Sequence, residues 1–208
     1  MKYVTESRVE DALVSTATSR KTIGRITSVR FYGGVTVDAM MIGCADRLRT
    51  GTAAQRAAAA RELAMTVRVP CRVIVALVHA AGDPDGQTRY WAAEALETAG
   101  PPSIADIGAL VEVLLQAQPP IDGESAYWAA RLLSRLGPTA AVATPALTHA
   151  LLASPYLAVR EQAAAALGRI GPEAQTAQEA LETTVGSGSP RLVRLALAAM
   201  ESIRGMAA

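Results

Sequence analysis

The chain has 208 residues, half of them hydrophobic but only 4% aromatic, and carries a net charge of +1. That balance supplies no bulk positive field of the kind that drives counterion release from nucleic acid, and no stretch approaches the roughly 18 uninterrupted apolar residues of a membrane span. Cys44 and Cys71 have neither metal-ligand spacing nor the density of a disulfide framework, and residues 1–20 lack the apolar core of a secretion signal, so a reducing cytoplasm is the expected setting.

In chain order, residues 1–34 form a non-repeat segment. Residues 7–18 read as one helix with Val9, Leu13 and Ala17 on a face. Residues 24–34 are β-branched and alternating, with Gly33-Gly34 as a turn signal before Val35, which predicts a short hairpin or a loop. The expected role of residues 1–34 is an N-terminal cap, with a binding arm as the alternative. Residues 37–49 read as a helix with Cys44 at a core position and Leu48 one turn on.

From there the sequence repeats. Tyr-Trp-Ala-Ala occurs at 90–93 and again at 127–130. The alanine pairs starting at Ala59, Ala92, Ala129 and Ala163 lie 33, 37 and 34 residues apart, and the same offsets align Leu63, Leu96, Leu133 and Leu167 one turn later. In the last three units Gly100-Pro101, Gly137-Pro138 and Gly171-Pro172 follow, and glycine in the left-handed position before proline is a helix stop. The register persists through a second helix: Leu77, Leu110, Leu147 and Leu181 coincide, with Ala81, Leu114, Leu151 and Val185 one turn on. Pro145 marks a helix start or a kink. A partial unit closes the pattern at 192–203, where Ala196, Met200 and Ile203 have core spacing. Repeats of this length, each a helix pair that buries its apolar face only against its neighbours, predict a solenoid.

The pattern resembles the HEAT-like repeats named after the phycobilisome bilin lyases, most clearly at 159–172, and the resemblance covers about residues 36–203. It implies an all-α fold: a right-handed α-solenoid of about five HEAT-like helix pairs over residues 35–208, with the non-repeat segment 1–34 as its cap. HEAT repeats often carry an Asp and an Arg six positions apart that build a ladder between units. Asp83 with Arg89 matches, whereas Thr50 precedes Arg56, Ser154 precedes Arg160, and Ala126 takes the arginine position of the third unit. The resemblance also implies an enzymatic alternative, a bilin lyase-like subunit or tailoring enzyme acting on an extended small molecule.

In such a solenoid the second helices line the concave surface, and the residue two positions after each core leucine points about 200° away from the core. That position holds Asp46, His79, Glu112 and His149, then Thr183, with Arg72 seven residues before His79. Adjacent repeats stack at roughly 8 to 10 Å, too far apart for this row to converge on one metal ion. His79 with Glu112 is a conceivable acid–base pair, a groove for a partner is a second reading, and a solvated polar face is the plain alternative. Tyr90-Trp91 and Tyr127-Trp128 precede the alanine pairs on first helices. Adjacent residues point about 100° apart, so one ring of each pair faces the core and the other is left for packing between units or for a partner. Arginines recur at Arg56, Arg89, Arg160 and Arg194, with Arg131, Arg135 and Arg169 further along, but Glu94, Glu97, Glu124 and Glu161 interrupt any phosphate-tracking row and favour solvated surface.

No phosphate loop, His-Glu-x-x-His, Cys-x-x-Cys or Gly-x-Ser-x-Gly occurs. Of the two thiols only Cys71, after Pro70, is placed to be activated. The expected function is a non-catalytic scaffold that binds a partner protein or peptide in its concave groove, through Asp46, Arg72, His79, Glu112 and His149 and the aromatic residues Tyr90, Trp91, Tyr127 and Trp128. No cofactor or metal is expected. Small-molecule binding belongs to the lyase-like alternative, nucleic-acid binding is a second and less favoured one, and the apolar ends of a solenoid favour homo- or hetero-oligomers.

Overall fold

A computed structural model of the chain describes residues 31–32, 35–66, 69–116 and 123–205. The helix expected at 7–18 lies outside them. Of the two readings for 24–34, the hairpin is realised where it is described: β1 (Phe31–Tyr32) pairs antiparallel with β2 (Val35–Thr36), Phe31 opposite Thr36 and Tyr32 opposite Val35.

From Val37 onward the described residues are almost entirely helical. A helix at Val37–Thr50 (α1) precedes four pairs: Ala53–Ala64 (α2) with Ile74–Ala81 (α3), Gly86–Thr98 (α4) with Ile107–Gln116 (α5), Gly123–Leu136 (α6) with Thr144–Ala153 (α7), and Leu157–Ile170 (α8) with Gln178–Ser187 (α9). Pro190–Ile203 (α10) completes the set, and no helix among the described residues is long and apolar enough to cross a membrane.

The helix starts follow local chemistry. Thr52 forms a capping box with Gln55 at α2, Asp85 caps α4 through Thr88, and Ser189 with Pro190 opens α10. Pro145 falls in the first turn of α7, where its missing N–H is no loss, so it starts the helix rather than kinking it. Two of the Gly-Pro stops behave as expected, with φ of 58° at Gly137 and 76° at Gly171. Gly100 does not: α4 ends on the extended Ala99, and no left-handed residue turns the chain there.

The repeat register is the packing register. Leu63, Leu96, Leu133 and Leu167 on the first helices and Leu77, Leu110, Leu147 and Leu181 on the second are all fully buried, as is Cys44, with Leu48 buried beside it. Each such leucine is worth roughly 1.5–3 kcal/mol of burial. Val185 and Met200 are only half-buried, and in α10 Ala199 takes the place expected of Met200. α2 packs on α4, α6 on α8 and α8 on α10; α3, α5, α7 and α9 pack in succession, and each also packs on the first helix that follows it. Small residues permit the approach, since a Cβ on Gly168 would lie 3.0 Å from Ala199 Cα across the α8–α10 contact. Between α4 and α6 the pattern changes. α6 approaches the backbone of α3, where Ser125 Oγ would lie 2.8 Å from a Cβ on Gly82, while its link to α4 runs through side chains.

Candidate functional site

The residues predicted to form a row on the second helices are all at the surface. Asp46, His79, Glu112 and His149 are exposed, as is Thr183. The phase explains this: each stands two positions after a buried residue, Cys44, Leu77, Leu110, Leu147 or Leu181, on the side of the helix away from the core. Their neighbours are local. Asp46 pairs with Arg49 one turn along α1, and Glu112 accepts a 2.9 Å hydrogen bond from Gln116 Nε2. His79 and Glu112 form no ion pair with each other, so the acid–base contact that catalysis would use is absent between them. Arg72 is exposed but lies in a 3-10 turn, Cys71–Val73, that precedes α3, so the α-helical spacing that placed it in line with His79 does not apply.

One end of the row opens into a groove of about 480 Å³ where α1, α2 and α3 meet. Leu48 and Arg49 come from α1, Arg56 from α2, and Ala76, His79 and Ala80 from α3, with Asp83 just beyond. Arg56 is fixed: Nε donates to Asp83 Oδ2 at 2.6 Å, Nη2 to Oδ1 at 2.9 Å, and Nη1 to the Gly51 carbonyl at 2.9 Å. The bond to Asp83 holds the Arg56 guanidinium above its ordinary pKa. The groove therefore presents His79 beside two cations that each already hold a carboxylate, over an apolar patch of Leu48, Ala76 and Ala80.

Asp83 and Arg89, six positions apart, do not pair through the Asp83 carboxylate. That carboxylate reaches back to Arg56 of the preceding unit, while Arg89 Nη1 caps the turn by donating to the carbonyls of Asp83 (2.8 Å) and Pro84 (3.0 Å). Several of the arginines expected to be merely solvated join units. Arg131 Nη1 and Nη2 each donate to Glu97 at 2.7 Å, and Arg160 Nε donates to the Leu151 carbonyl at 2.9 Å. Arg135 Nη1 reaches the carbonyls of Leu96 (2.9 Å) and Ala99 (2.7 Å), the end of α4 that Gly100 leaves unturned. Burial, reinforced by the nearby charge of Arg131, draws the Arg135 pKa down. Alignment of the repeats alone does not pair Glu97 with Arg131: they lie 34 residues apart where the two units are offset by 37, so the link joins positions three residues apart in register.

The aromatic pairs do not form one exposed step. Tyr90 is 54% exposed and Trp91 half-buried, whereas Tyr127 is half-buried and Trp128 is only 3% exposed. Trp128 is thus withdrawn from the surface expected of it, covered by Arg131, whose guanidinium carbon sits 4.9 Å from the ring centre. At the matching position Arg61 stands 5.5 Å over Trp91, and each tyrosine meets its neighbouring tryptophan edge-on. Trp91 thus meets an arginine of the preceding unit and Trp128 one of its own helix, leaving Tyr90 as the one of the four that is exposed.

Cys44 is buried, and burial together with the charge of Glu62 raises its pKa, despite Arg47 Nη2 donating to its sulfur at 3.1 Å. Cys71 is exposed and free. Among the described residues no three His, Cys, Asp or Glu side chains are grouped to hold a metal ion. No protein-family model matches this chain, and no curated protein does.

Proposed function

We propose that the protein is a non-catalytic interaction module, a HEAT-like α-solenoid that binds a partner protein or peptide in the concave groove lined by its second helices. The observation that carries this reading is the row Asp46, His79, Glu112 and His149: four polar side chains at one register position, all exposed, on helices whose opposite sides are packed with leucine. The succession of α3, α5, α7 and α9 supports it, because a continuous stack of helices keeps such side chains at regular intervals along one surface. The groove beside His79 extends the face at its start.

The test compares the chain with a His79→Ala, Glu112→Ala double variant as baits in its native host, with circular dichroism as the control for folding. The expected result is a protein retained by the first and lost by the second, both equally helical. Retention of the same partners by both baits would remove the face assignment.

A further inference from the structure

A second groove, of about 460 Å³, lies where the Gly-Pro turns meet, and Pro101, Ser134, Arg135, Gly137, Pro138 and Arg169 line it. Its two arginines occupy the same register position in successive first helices, 34 residues apart. Their circumstances differ. Arg135 closes the carbonyl end of α4. The matching end of α6 is already turned by Gly137 at φ 58°, so Arg169 has no such task; it is exposed, and no carboxylate of the described residues pairs with it. Glu97, the carboxylate nearest Arg135, is held by Arg131 through both oxygens. The groove therefore carries one guanidinium group, that of Arg169, with no carboxylate partner among the described residues, beside a second, that of Arg135, whose neighbouring carboxylate is already shared with Arg131.

We propose that this groove binds a carboxylate on an acidic peptide segment of a partner, with Arg169 as the anchor and the donors of Arg135 not used on α4 as the second contact. A guanidinium fork matches a planar carboxylate through two parallel hydrogen bonds. The same fork fits a phosphate, but phosphate sites commonly add a nest of backbone N–H groups, and Pro101 and Pro138 remove N–H donors from both turns. The same prolines, with Ala99 and Leu136, give apolar rims that cover the aliphatic stem of a glutamate. None of these residues belongs to the His79 face, so the site stands whether or not that face binds a partner.

The test uses the full chain and a fluorescein-labelled peptide of alternating Glu and Leu, with its Gln-for-Glu counterpart as control, read by fluorescence anisotropy at low ionic strength. Binding of the Glu peptide is expected, weakened roughly tenfold or more by Arg169→Glu and by the Glu-to-Gln change, and unaltered in the His79→Ala, Glu112→Ala variant. Arg169→Glu is a surface change, and an unaltered thermal melt will show that the fold is intact. Absence of binding, equal binding by Arg169→Glu, or equal binding of the Gln peptide would each overturn the proposal. So would displacement of the peptide by inorganic phosphate beyond what chloride achieves at matched ionic strength, since that would mark a phosphate site.

Discussion

Arg56 and Asp83, 27 residues apart in the chain, form a two-pronged ion pair with side chains only 20% and 10% exposed. The pair is anchored at both ends: Arg56 also holds the Gly51 carbonyl, and Asp83 Oδ1 accepts the Asp85 N–H at 2.8 Å. It thereby joins the approach to α2, the end of α3 and the approach to α4. Removing one member leaves the other's fork and a turn N–H without their partner, and such losses exceed the value of the pair itself. Asp83→Ala is therefore expected to lower the melting temperature clearly more than Asp46→Ala, which breaks only an exposed pair with Arg49. Thermal melts followed by circular dichroism at matched pH check this; equal losses would mean that the inter-unit pair is worth no more than a surface one.

Asp85 gives the fold a specific acid sensitivity. Its carboxylate accepts the Thr88 N–H and the Thr88 hydroxyl, both at 2.8 Å, and these bonds hold its pKa below the ordinary 3.8. A depressed folded-state pKa stabilises the fold fully above the unfolded value and loses that contribution as pH falls through the folded one. The wild-type melting temperature should thus fall more steeply than that of Asp85→Asn as pH drops below about 4. Parallel curves would show that the cap contributes no linked protonation.

Much of this was legible in the sequence because its causes are periodic. One register placed the buried leucines on both helix sets, and the same register put Asp46, His79, Glu112 and His149 on the opposite, exposed side. What was not legible depends on contacts between units. The same tryptophan position is half-buried at Trp91 and buried at Trp128, because the burial of α6 extends around to Ala126, Trp128 and Ala130, while α4 buries a narrower face. Gly100 shares its dipeptide with Gly137 and Gly171 but not their backbone, since an arginine from the next unit supplies what a left-handed turn would have given.

Two glycines separate backbone strain from packing. A Cβ would meet nothing within 4 Å at Gly43, in the middle of α1, or at Gly171, where φ is 76° and ψ is −140°. With space equal, the dihedrals decide the sign. Gly43→Ala should stabilise by about 0.5–1 kcal/mol, the helical advantage of alanine. Gly171→Ala should cost roughly 1–3 kcal/mol, because that backbone region is essentially reserved for glycine. Urea unfolding of both variants measures the two effects, and a loss at Gly43 or a gain at Gly171 would contradict this account of the turn.

Arg135 should be the hardest of the inter-unit arginines to replace. Its Nη1 serves two carbonyls at the end of α4, and the residues that follow cannot serve them instead, since Ala99 is extended and Pro101 has no N–H. The negative end of the helix dipole favours a cation there, which is how a half-buried guanidinium persists without a carboxylate of its own. Arg135→Met keeps the stem and removes the donors, so it should cost about 1–3 kcal/mol, the penalty for stranding buried acceptors. Arg135→Lys should recover part of that, because an ammonium restores the charge but not the fork. Hydrogen exchange locates the effect: in the Met variant the last turn of α4 should lose protection before α8 does. Uniform loss across both helices would mean that Arg135 acts through general packing, not through the carbonyls of Leu96 and Ala99.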